Sequence, residues 1–363
     1  MKKNSLKKKN DFYRLIFFEK ILSYINYILL AILFTSYLAK YINPEKWIIP
    51  ALAEKIYPLI IFLILLFTIF WLLRFKKTAL HNILIIIIGI NTHINFYKIN
   101  NNKEVVKAKI KITTFNVRQF NKYQWIKTKN ITSEIVNFIQ STKSDILCLQ
   151  EFHESSNLNK ITFKNKHVNS NFKSKNGGLV IASNFPFLTK SFITTSKEPY
   201  KESIYADIVI HKDTFRIYNI HLTTSNNENL ENIKKLTKNP INKKKEIIKN
   251  IKILTPMLKK SFKERNKEID IIIKHIKSSP YKCIIAGDFN DTPNSYSVTK
   301  MSKILKDTFL ESGSKTGKTY RNLAIPLRID YIFIDKQFTS IKLKTHNEVS
   351  LSDHYPISAD LIY

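Results

Sequence analysis

Acidic and amide side chains follow one apolar run in a pattern that could hold a metal ion or activate water. The run Cys283–Ala286 predicts a buried strand that ends at Gly287. Because side chains alternate along a strand, Asp288 and Asn290 are expected on one face and Phe289 on the other. A carboxylate beside an amide suits a hard divalent cation or a polarised water. Taken alone, the segment is better explained as an Asx-rich turn that closes a core strand.

Four other strand-like segments also carry one ionisable or amide side chain where an apolar row ends. The rows are Ile110, Ile112 and Thr114 before Asn116; Leu147 and Leu149 before Glu151; Phe215, Ile217 and Asn219 before His221; and Ile332 and Ile334 after Asp330. If these rows face each other across two packed sheets, their polar ends converge on one rim. The repetition therefore favours a common site over unrelated turns.

The elements that must position these groups alternate between strands and helices. Residues 205–210 and 214–222 predict a hairpin, and 126–139 and 262–276 have the apolar spacing of helices. Such alternation predicts a two-sheet α/β sandwich with helices outside.

Six signatures occur in the order FNVR, LQE, NIHL, GDFNDTP, RIDYIF and SDHYP, and they include Phe115, Glu151, His221, Asp288, Asp330 and His354. Through them the region Lys109–Tyr363 resembles the endonuclease/exonuclease/phosphatase superfamily, the metal-dependent phosphoesterases that include DNase I, abasic-site endonucleases, sphingomyelinases and inositol polyphosphate phosphatases. The resemblance implies a four-layered α/β sandwich over residues 108–363, with two packed mixed β-sheets flanked by helices.

The resemblance also implies a metal site. Glu151 is the leading ligand, Asn116 completes or orients the site, and Asp353 binds the same ion or a second one. Oxygen ligands without cysteine suit Mg²⁺ or Mn²⁺.

Five residues acquire catalytic roles by the same resemblance. Asp288 and Asn290 align and activate the water and hold the phosphate. Asp330 holds His354 in one tautomer and favours its cationic form. His221 contacts a phosphoryl oxygen or protonates the leaving group. Either histidine alone would more often have a structural role, but the ordered signatures favour catalysis.

Two further residues are weaker candidates. Glu202 could pair with His221, although a structural role is equally compatible with its position. Arg328 could contact phosphate or brace the loop before Asp330.

Composition limits the function less than the signatures do. The formal net charge of +31, from 59 basic and 28 acidic residues, is compatible with a phosphate-bearing partner or an anionic membrane. It is equally compatible with the Lys, Asn and Ile bias of an AT-rich genome, because the charge is scattered. Cys148 and Cys283 fall inside predicted strands and are expected as buried free thiols. The segment Gly313–Thr319 is one residue short of a phosphate-binding P-loop, so we interpret it as a substrate-side loop.

The first hundred residues form a separate, membrane-like region. Uncharged stretches near residues 21–39, 50–73 and 78–97 predict about three transmembrane helices, with two as the alternative. Lysines before the first stretch, and Arg74, Lys76 and Lys77 between the second and third, place those segments in the cytoplasm. Three crossings would put the large domain on the extracytoplasmic, periplasmic side of the inner membrane.

These features predict a membrane-anchored phosphoesterase that cleaves phosphodiester bonds of nucleic acid without sequence preference, by metal-assisted in-line attack of water. A phospholipid or sphingomyelin-type phosphodiesterase, or a phosphatase, is the alternative. A non-catalytic membrane protein that binds polyanions is a third possibility, which the complete set of signatures disfavours. The expected partners are a phosphate ester and the lipid bilayer, and no protein partner can be inferred.

Overall fold

The computed structural model describes residues 2–99, 110–127, 130–153, 158–169, 177–195, 202–224 and 243–363. The chain divides into two compact units, Met1–His93 and Ile94–Tyr363.

Helices make up the N-terminal region. Their bounds are α1 Lys2–Tyr37, α2 Ile49–Lys55, α3 Tyr57–Leu73, α4 Thr78–Ile88 and α5 Ile90–Phe96. Within α1, the 21-residue stretch Phe17–Tyr37 is long and apolar enough to cross a membrane. The pairs α2 with α3 and α4 with α5 are bent by 72° and 66°, and each pair could serve as one span. The described part of the region therefore holds one candidate span, or up to three.

A polar pair joins two helices of this first unit. Asn26 of α1 and Asn82 of α4 are both fully buried, and each amide donates to the other at 2.8 and 2.9 Å. Reciprocal amide pairs of this kind hold helices together where the surroundings are apolar.

The second unit contains two six-stranded sheets. In the first sheet the order is β11-β12-β1-β2-β4-β3, and in the second it is β5-β6-β7-β8-β10-β9. The strand bounds are β1 Ile110–Asn116, β2 Ile146–Phe152, β3 Asn165–Asn169, β4 Gly178–Ser183, β5 Phe187–Thr194, β6 Glu202–Ile210, β7 Asp213–His221, β8 Lys282–Asp288, β9 Lys306–Asp307, β10 Asp330–Ile334, β11 Thr339–Thr345 and β12 Ile357–Ile362. The helices are α6 Ile131–Ser141, α7 Lys243–Lys277, α8 Tyr296–Ser302 and α9 Thr308–Ser312.

Three apolar clusters give the sandwich its four layers. Alternate residues such as Ile112, Ile217 and Ile284 fill the space between the two sheets. Helix α6 covers the outer face of the first sheet through Ile135 and its neighbours. Helices α7 and α8 cover the outer face of the second sheet, where Ile272 is one of the buried contacts. The predicted four-layered α/β sandwich is confirmed.

One parallel strand pair lies at the centre of each sheet. Strands β1 and β2 are parallel in the first sheet, and β7 and β8 are parallel in the second, whereas the other pairings are antiparallel. Because parallel strands end at the same edge, each pair brings two carboxyl ends together. Asn116, Glu151, His221 and Asp288 lie at these four strand ends.

Candidate active site

At this rim one side-chain amide contacts a carboxylate from each of the two sheets. Asn116 is the last residue of β1, and its Nδ2 donates to Glu151 Oε1 at 3.2 Å and to Asp288 Oδ2 at 3.1 Å. Glu151 belongs to the first sheet and Asp288 ends β8 of the second sheet. The structure therefore brings together three of the predicted site residues from both halves of the sandwich.

Glu151 reaches the rim by a route that alternation did not predict. Leu147 and Leu149 face α6, so their row points away from the space between the sheets, and the predicted row for this strand is wrong. The register of β2 against β4 shifts between Leu149 and Phe152, and Glu151 has a left-handed φ of 52°. This β-bulge redirects the Glu151 carboxylate to the contact with Asn116.

The spacing of His221 and Asp288 depends on a glycine. The two residues are register partners at the ends of β7 and β8. Gly287 has a φ of 148°, and a Cβ there would lie 2.0 Å from the Ile220 carbonyl oxygen. Only glycine allows this close approach of the two strands.

His354 is held between two carboxylates. Its Nδ1 is 2.9 Å from Asp330 Oδ2, and its Nε2 is 3.7 Å from Asp288 Oδ2. Burial opposes a charge on the ring, but the Asp330 and Asp288 carboxylates raise the pKa of His354 well above its ordinary value. Burial, together with Asp330, also raises the pKa of Asp288 to about 6. The site thus contains an imidazole whose charged form is favoured, beside a carboxyl whose pKa is raised to about 6.

The second imidazole is less constrained. His221 Nε2 lies 3.6 Å from Asp288 Oδ2 and 3.8 Å from Glu151 Oε1. This nitrogen is buried and has no hydrogen-bond partner among the described residues. Asn290, with a φ of 50°, donates its backbone N–H to Asp288 Oδ1 at 2.8 Å and its side-chain amide to the Leu222 carbonyl at 2.9 Å. Asn290 therefore orients Asp288.

Asp353 lies at the same rim, where it contacts a residue outside the set of predicted site residues. Arg118 Nε is 3.3 Å from Asp353 Oδ2, and the Arg118 backbone N–H donates to Asn116 Oδ1 at 3.1 Å. Arg118 is part of the FNVR signature, and only seven of the 59 basic residues are arginine. The use of arginine in a lysine-rich chain was the available signal, because a guanidinium is chosen where a directed ion pair is needed.

Of the two weaker candidates, the structure describes the side chain of Arg328, which it places in a buried ion pair. Arg328 is 3% exposed, forms an ion pair with Asp307 at 2.7 Å and stacks over Phe309 at 4.2 Å, which agrees with the bracing alternative. Its contact with phosphate stays a prediction. The backbone of Glu202 begins β6, but its side chain lies outside the described residues, so pairing with His221 also stays a prediction.

Behind the rim, Arg265 of α7 connects two segments that carry site residues. Its Nη1 donates to the Thr223 carbonyl at 2.8 Å, and its Nε is 3.3 Å from the Asp291 carboxylate. Thr223 follows His221 in the chain, and Asp291 follows Asn290. A fully buried guanidinium therefore fixes the spacing of these two strand ends.

The donor set fits a hard divalent cation. The Glu151 and Asp288 carboxylates share one amide as donor, and Asp330 Oδ1 is buried with no hydrogen-bond partner in the part of the chain that the structure describes. The carboxylate oxygens of Asp288 and Asp330 lie within 4.8 Å of each other and of a ring nitrogen of His354. Concentrated carboxylate oxygens without cysteine favour positive charge from oxygen-preferring ions such as Mg²⁺ or Mn²⁺.

Comparisons with known families cover both parts of the chain. The model described as "Endonuclease/Exonuclease/phosphatase family" matches residues 113–354. A second model, described as "Domain of unknown function (DUF8431)", matches residues 19–96. Among curated proteins nothing matches the chain.

Several solved structures share the fold. An endonuclease/exonuclease/phosphatase family protein from Bacteroides thetaiotaomicron is 15% identical, covers 70% of this chain and 97% of its own, and gives a TM-score of 0.52. A mannosyl-6-phosphatase from the same organism is 16% identical over 70% of this chain and 100% of its own, with a TM-score of 0.51. The human nocturnin catalytic domain with bound sulfate is 16% identical over 71% and 96%, with a TM-score of 0.51. At these identities the similarity shows the fold alone.

Proposed function

Since this chain belongs to the endonuclease/exonuclease/phosphatase family, whose members hydrolyse phosphate esters, we propose that it is a membrane-anchored, divalent-metal-dependent phosphodiesterase. The observation that carries the proposal is the convergence of carboxylates and imidazoles from both sheets. Asp288 lies 3.6 Å from one histidine and 3.7 Å from the other, and Asn116 joins it to Glu151. Such a cluster offers acceptors for a water proton and donors for phosphoryl oxygens in one place.

The residues divide the work according to their environments. Asp288 is the base for the attacking water, because a carboxyl that titrates near pH 6 can accept a proton at neutral pH and still release it. Asn290 fixes its orientation. His354, held cationic by Asp330, stabilises the growing negative charge on the phosphoryl oxygens. His221 Nε2 has no competing partner among the described residues and serves the leaving oxygen.

Glu151 and Asn116, with Asp353 as a further ligand, would hold Mg²⁺ or Mn²⁺. The bound ion supplies neutralisation of charge on the phosphoryl group. This role suits Glu151, which is the site carboxylate that a bulge redirects to the rim.

Nucleic acid cleaved without sequence preference is the proposed substrate. The basic excess of the chain can supply phosphate contacts that ignore sequence. The apolar stretch Phe17–Tyr37 makes lipid phosphodiesters the second candidate, because it would keep the domain at a bilayer surface.

Hydrolysis of bis-p-nitrophenyl phosphate by the full-length protein in detergent tests the proposal. Activity should require Mg²⁺ or Mn²⁺ and vanish in EDTA. Glu151→Gln should raise the metal concentration for half-maximal activity at least about tenfold, whereas His354→Ala should lower turnover with metal binding largely kept. Asp213→Asn, at the exposed hairpin tip, is the matched control. Full activity in excess chelator would refute the metal assignment.

The proposed location is the inner membrane, with three spans and an extracytoplasmic domain. Alkaline phosphatase fused after Asn102 should be active. A fluorescent protein fused at the same position should stay dark, because it does not become fluorescent after export by the general secretion route. The reverse pattern would indicate two spans and a cytoplasmic domain.

A further inference from the structure

The loop after β1 leaves two aromatic rings in solvent beside the active site. Tyr123 is 58% exposed and Trp125 is 40% exposed, and their ring centroids are 5.2 Å apart. The Arg118 guanidinium carbon lies 4.2 Å from the centre of the Trp125 ring, while its Nε contacts Asp353 at 3.3 Å. Because Asp353 directly precedes His354, the Arg118 side chain connects the pair of rings to the catalytic rim.

The backbone of this loop is held in an unfavourable conformation. Non-glycine residues with φ between 44° and 60° are Arg118, Gln119, Phe120, Asn121 and Gln124. The left-handed region crowds the Cβ of any L-residue other than glycine, so surrounding contacts must enforce it. Strain of this kind concentrates at binding and catalytic sites, where a fixed geometry is useful.

Two contacts fix the loop from inside. The Asn121 side chain donates to the Ile126 carbonyl at 2.7 Å and accepts from the Ile126 N–H at 2.9 Å, which closes the loop. Phe120 is 5% exposed and packs edge-on against Phe152 of β2 at 5.5 Å. The loop therefore buries one ring as an anchor and presents Tyr123 and Trp125 outward, already ordered before any ligand arrives. Pre-ordering lowers the entropy cost of binding.

The charges around the rings suit a phosphate-bearing ligand. Lys122 Nζ is 5.5 Å from the centre of the Tyr123 ring and 2.8 Å from His153 Nε2, and His153 follows Glu151 by two residues. Aromatic faces next to cations are the combination with which proteins bind single-stranded nucleic acid independently of sequence, since every base has a π-face. Rings that only entered a bilayer interface would gain nothing from a strained loop tied to Asp353.

We infer that Tyr123 and Trp125, with Arg118 and Lys122, form a stacking platform for a nucleobase next to the scissile phosphate. The inference rests on the proposed phosphodiesterase function and narrows its substrate to unpaired nucleic acid. Trp125 and Tyr123 select for a base without reading its identity, and Arg118 sets the position of the platform relative to Asp353.

Matched oligomers test this platform with the full-length protein in detergent and Mg²⁺. One is an oligothymidylate, and the other is the same oligomer with abasic tetrahydrofuran residues. Trp125→Ala should lower kcat/KM on the oligothymidylate about tenfold, mainly through KM, and leave the abasic oligomer within about twofold. Trp125→Phe should keep most of the rate. Phe192→Ala, which truncates a 54% exposed ring on β5, is the matched control and should change neither rate.

Binding gives a readout that does not need turnover. In EDTA, oligothymidylate should quench tryptophan fluorescence in the wild type, and the abasic oligomer should not. The other two tryptophans, Trp47 and Trp71, belong to the first unit, so loss of the quench in Trp125→Phe assigns it to Trp125. Circular dichroism melts check that each variant is folded.

Each alternative has its own signature. An equal loss on both oligomers in Trp125→Ala would mean that the ring only supports Arg118, and would overturn the platform. So would a loss confined to phospholipid in vesicles, which would point to a lipid contact. Hydrolysis of bis-p-nitrophenyl phosphate without any quench would overturn the platform and leave the proposed function standing. A fluorescence quench without hydrolysis of any ester would overturn the proposed function and leave the platform standing.

Discussion

Strand β7 carries two polar clusters that differ in how completely their atoms are paired. Near its start, Arg216 donates to both carboxylate oxygens of Asp207, from Nε at 2.6 Å and from Nη2 at 2.8 Å. At its end, His221 Nε2 approaches Asp288 only to 3.6 Å and has no hydrogen-bond partner in the described part of the chain. We call the first cluster closed, because Arg216 and Asp207 are hydrogen-bonded to each other, and the second open, because His221 Nε2 is not hydrogen-bonded to any described residue.

The two clusters use burial of charge for different ends. The hydrogen bonds to Asp207 raise the pKa of Arg216 above its ordinary value, so the folded chain favours the charged form of this guanidinium. Burial and Asp330 instead raise the pKa of Asp288, so the folded chain disfavours the charged state of that carboxylate. A carboxylate whose charge the fold disfavours, beside a His221 Nε2 that has no hydrogen-bond partner among the described residues, indicates a chemical role and not a structural one.

The largest expected effect separates the clusters by activity. Asp288→Asn removes the group that accepts the water proton, and we expect the rate on bis-p-nitrophenyl phosphate to fall about 10³-fold, within the usual range for a general base. Asp207→Asn, in the closed cluster, should leave the rate of the folded enzyme within about twofold. Initial rates in Mg²⁺, with circular dichroism to confirm folding, provide the measurement. A tenth or more of wild-type activity in Asp288→Asn would remove Asp288 from the base role.

How far the sequence could predict this site depends on backbone regularity. The rows of β1, β7 and β8 are regular up to their last residue, and alternation correctly places Asn116, His221 and Asp288 at the rim. Glu151 arrives through a bulge that leaves no mark in the apolar pattern, because Leu147 and Leu149 alternate as in any strand.

The loop between β1 and α6 was the least predictable part. The helix expected from Ile126 begins at Ile131, because Asn121 binds the backbone of Ile126 inside the loop. None of the residues with left-handed φ in this loop, such as Arg118, is a glycine, so the sequence does not indicate the unusual backbone conformation. Local propensity cannot show a conformation that tertiary contacts impose. The six ordered signatures, by contrast, were sufficient to predict the four-layered sandwich. Each signature falls at a strand end or in a loop at the same rim.

A second difference between the clusters is pH dependence in EDTA. A carboxyl whose pKa is raised from 3.8 to about 6 binds its proton more tightly in the folded chain. The free energy of unfolding should therefore fall as pH rises from about 4 through 6, by at most about 3 kcal/mol. The raised pKa of His354 acts in the same direction, because its stabilising charge is lost as pH rises through that pKa.

Urea unfolding of the full-length protein in detergent at pH 5 and pH 8 measures this dependence. We expect lower stability at pH 8, recovery when Mg²⁺ is added, and a flatter profile in Asp288→Asn. Asp207→Asn should keep the wild-type slope, since Asp207 belongs to the closed cluster. A wild type that is more stable at pH 8 than at pH 5 in chelator would contradict the assignment of Asp288 as a carboxylate whose charge destabilises the folded chain.

The smallest expected effect is on the stability of the closed cluster. Asp207 also accepts from Thr189 Oγ1 at 2.5 Å, so one carboxylate joins β5, β6 and β7. Asp207→Asn keeps the shape but leaves the Arg216 guanidinium, whose side chain is 11% exposed, without its counter-charge. Loss of one partner of a fully buried ion pair costs about 3–5 kcal/mol, and partial exposure of Arg216 reduces our expectation to about 2 kcal/mol. Urea unfolding at pH 7 provides the measurement, with Asp213→Asn at the tip of the same hairpin as the control. Equal stability of the two variants would show that the Arg216–Asp207 pair contributes no more than a surface contact, and the distinction between a closed and an open cluster on β7 would then fail on its stability side.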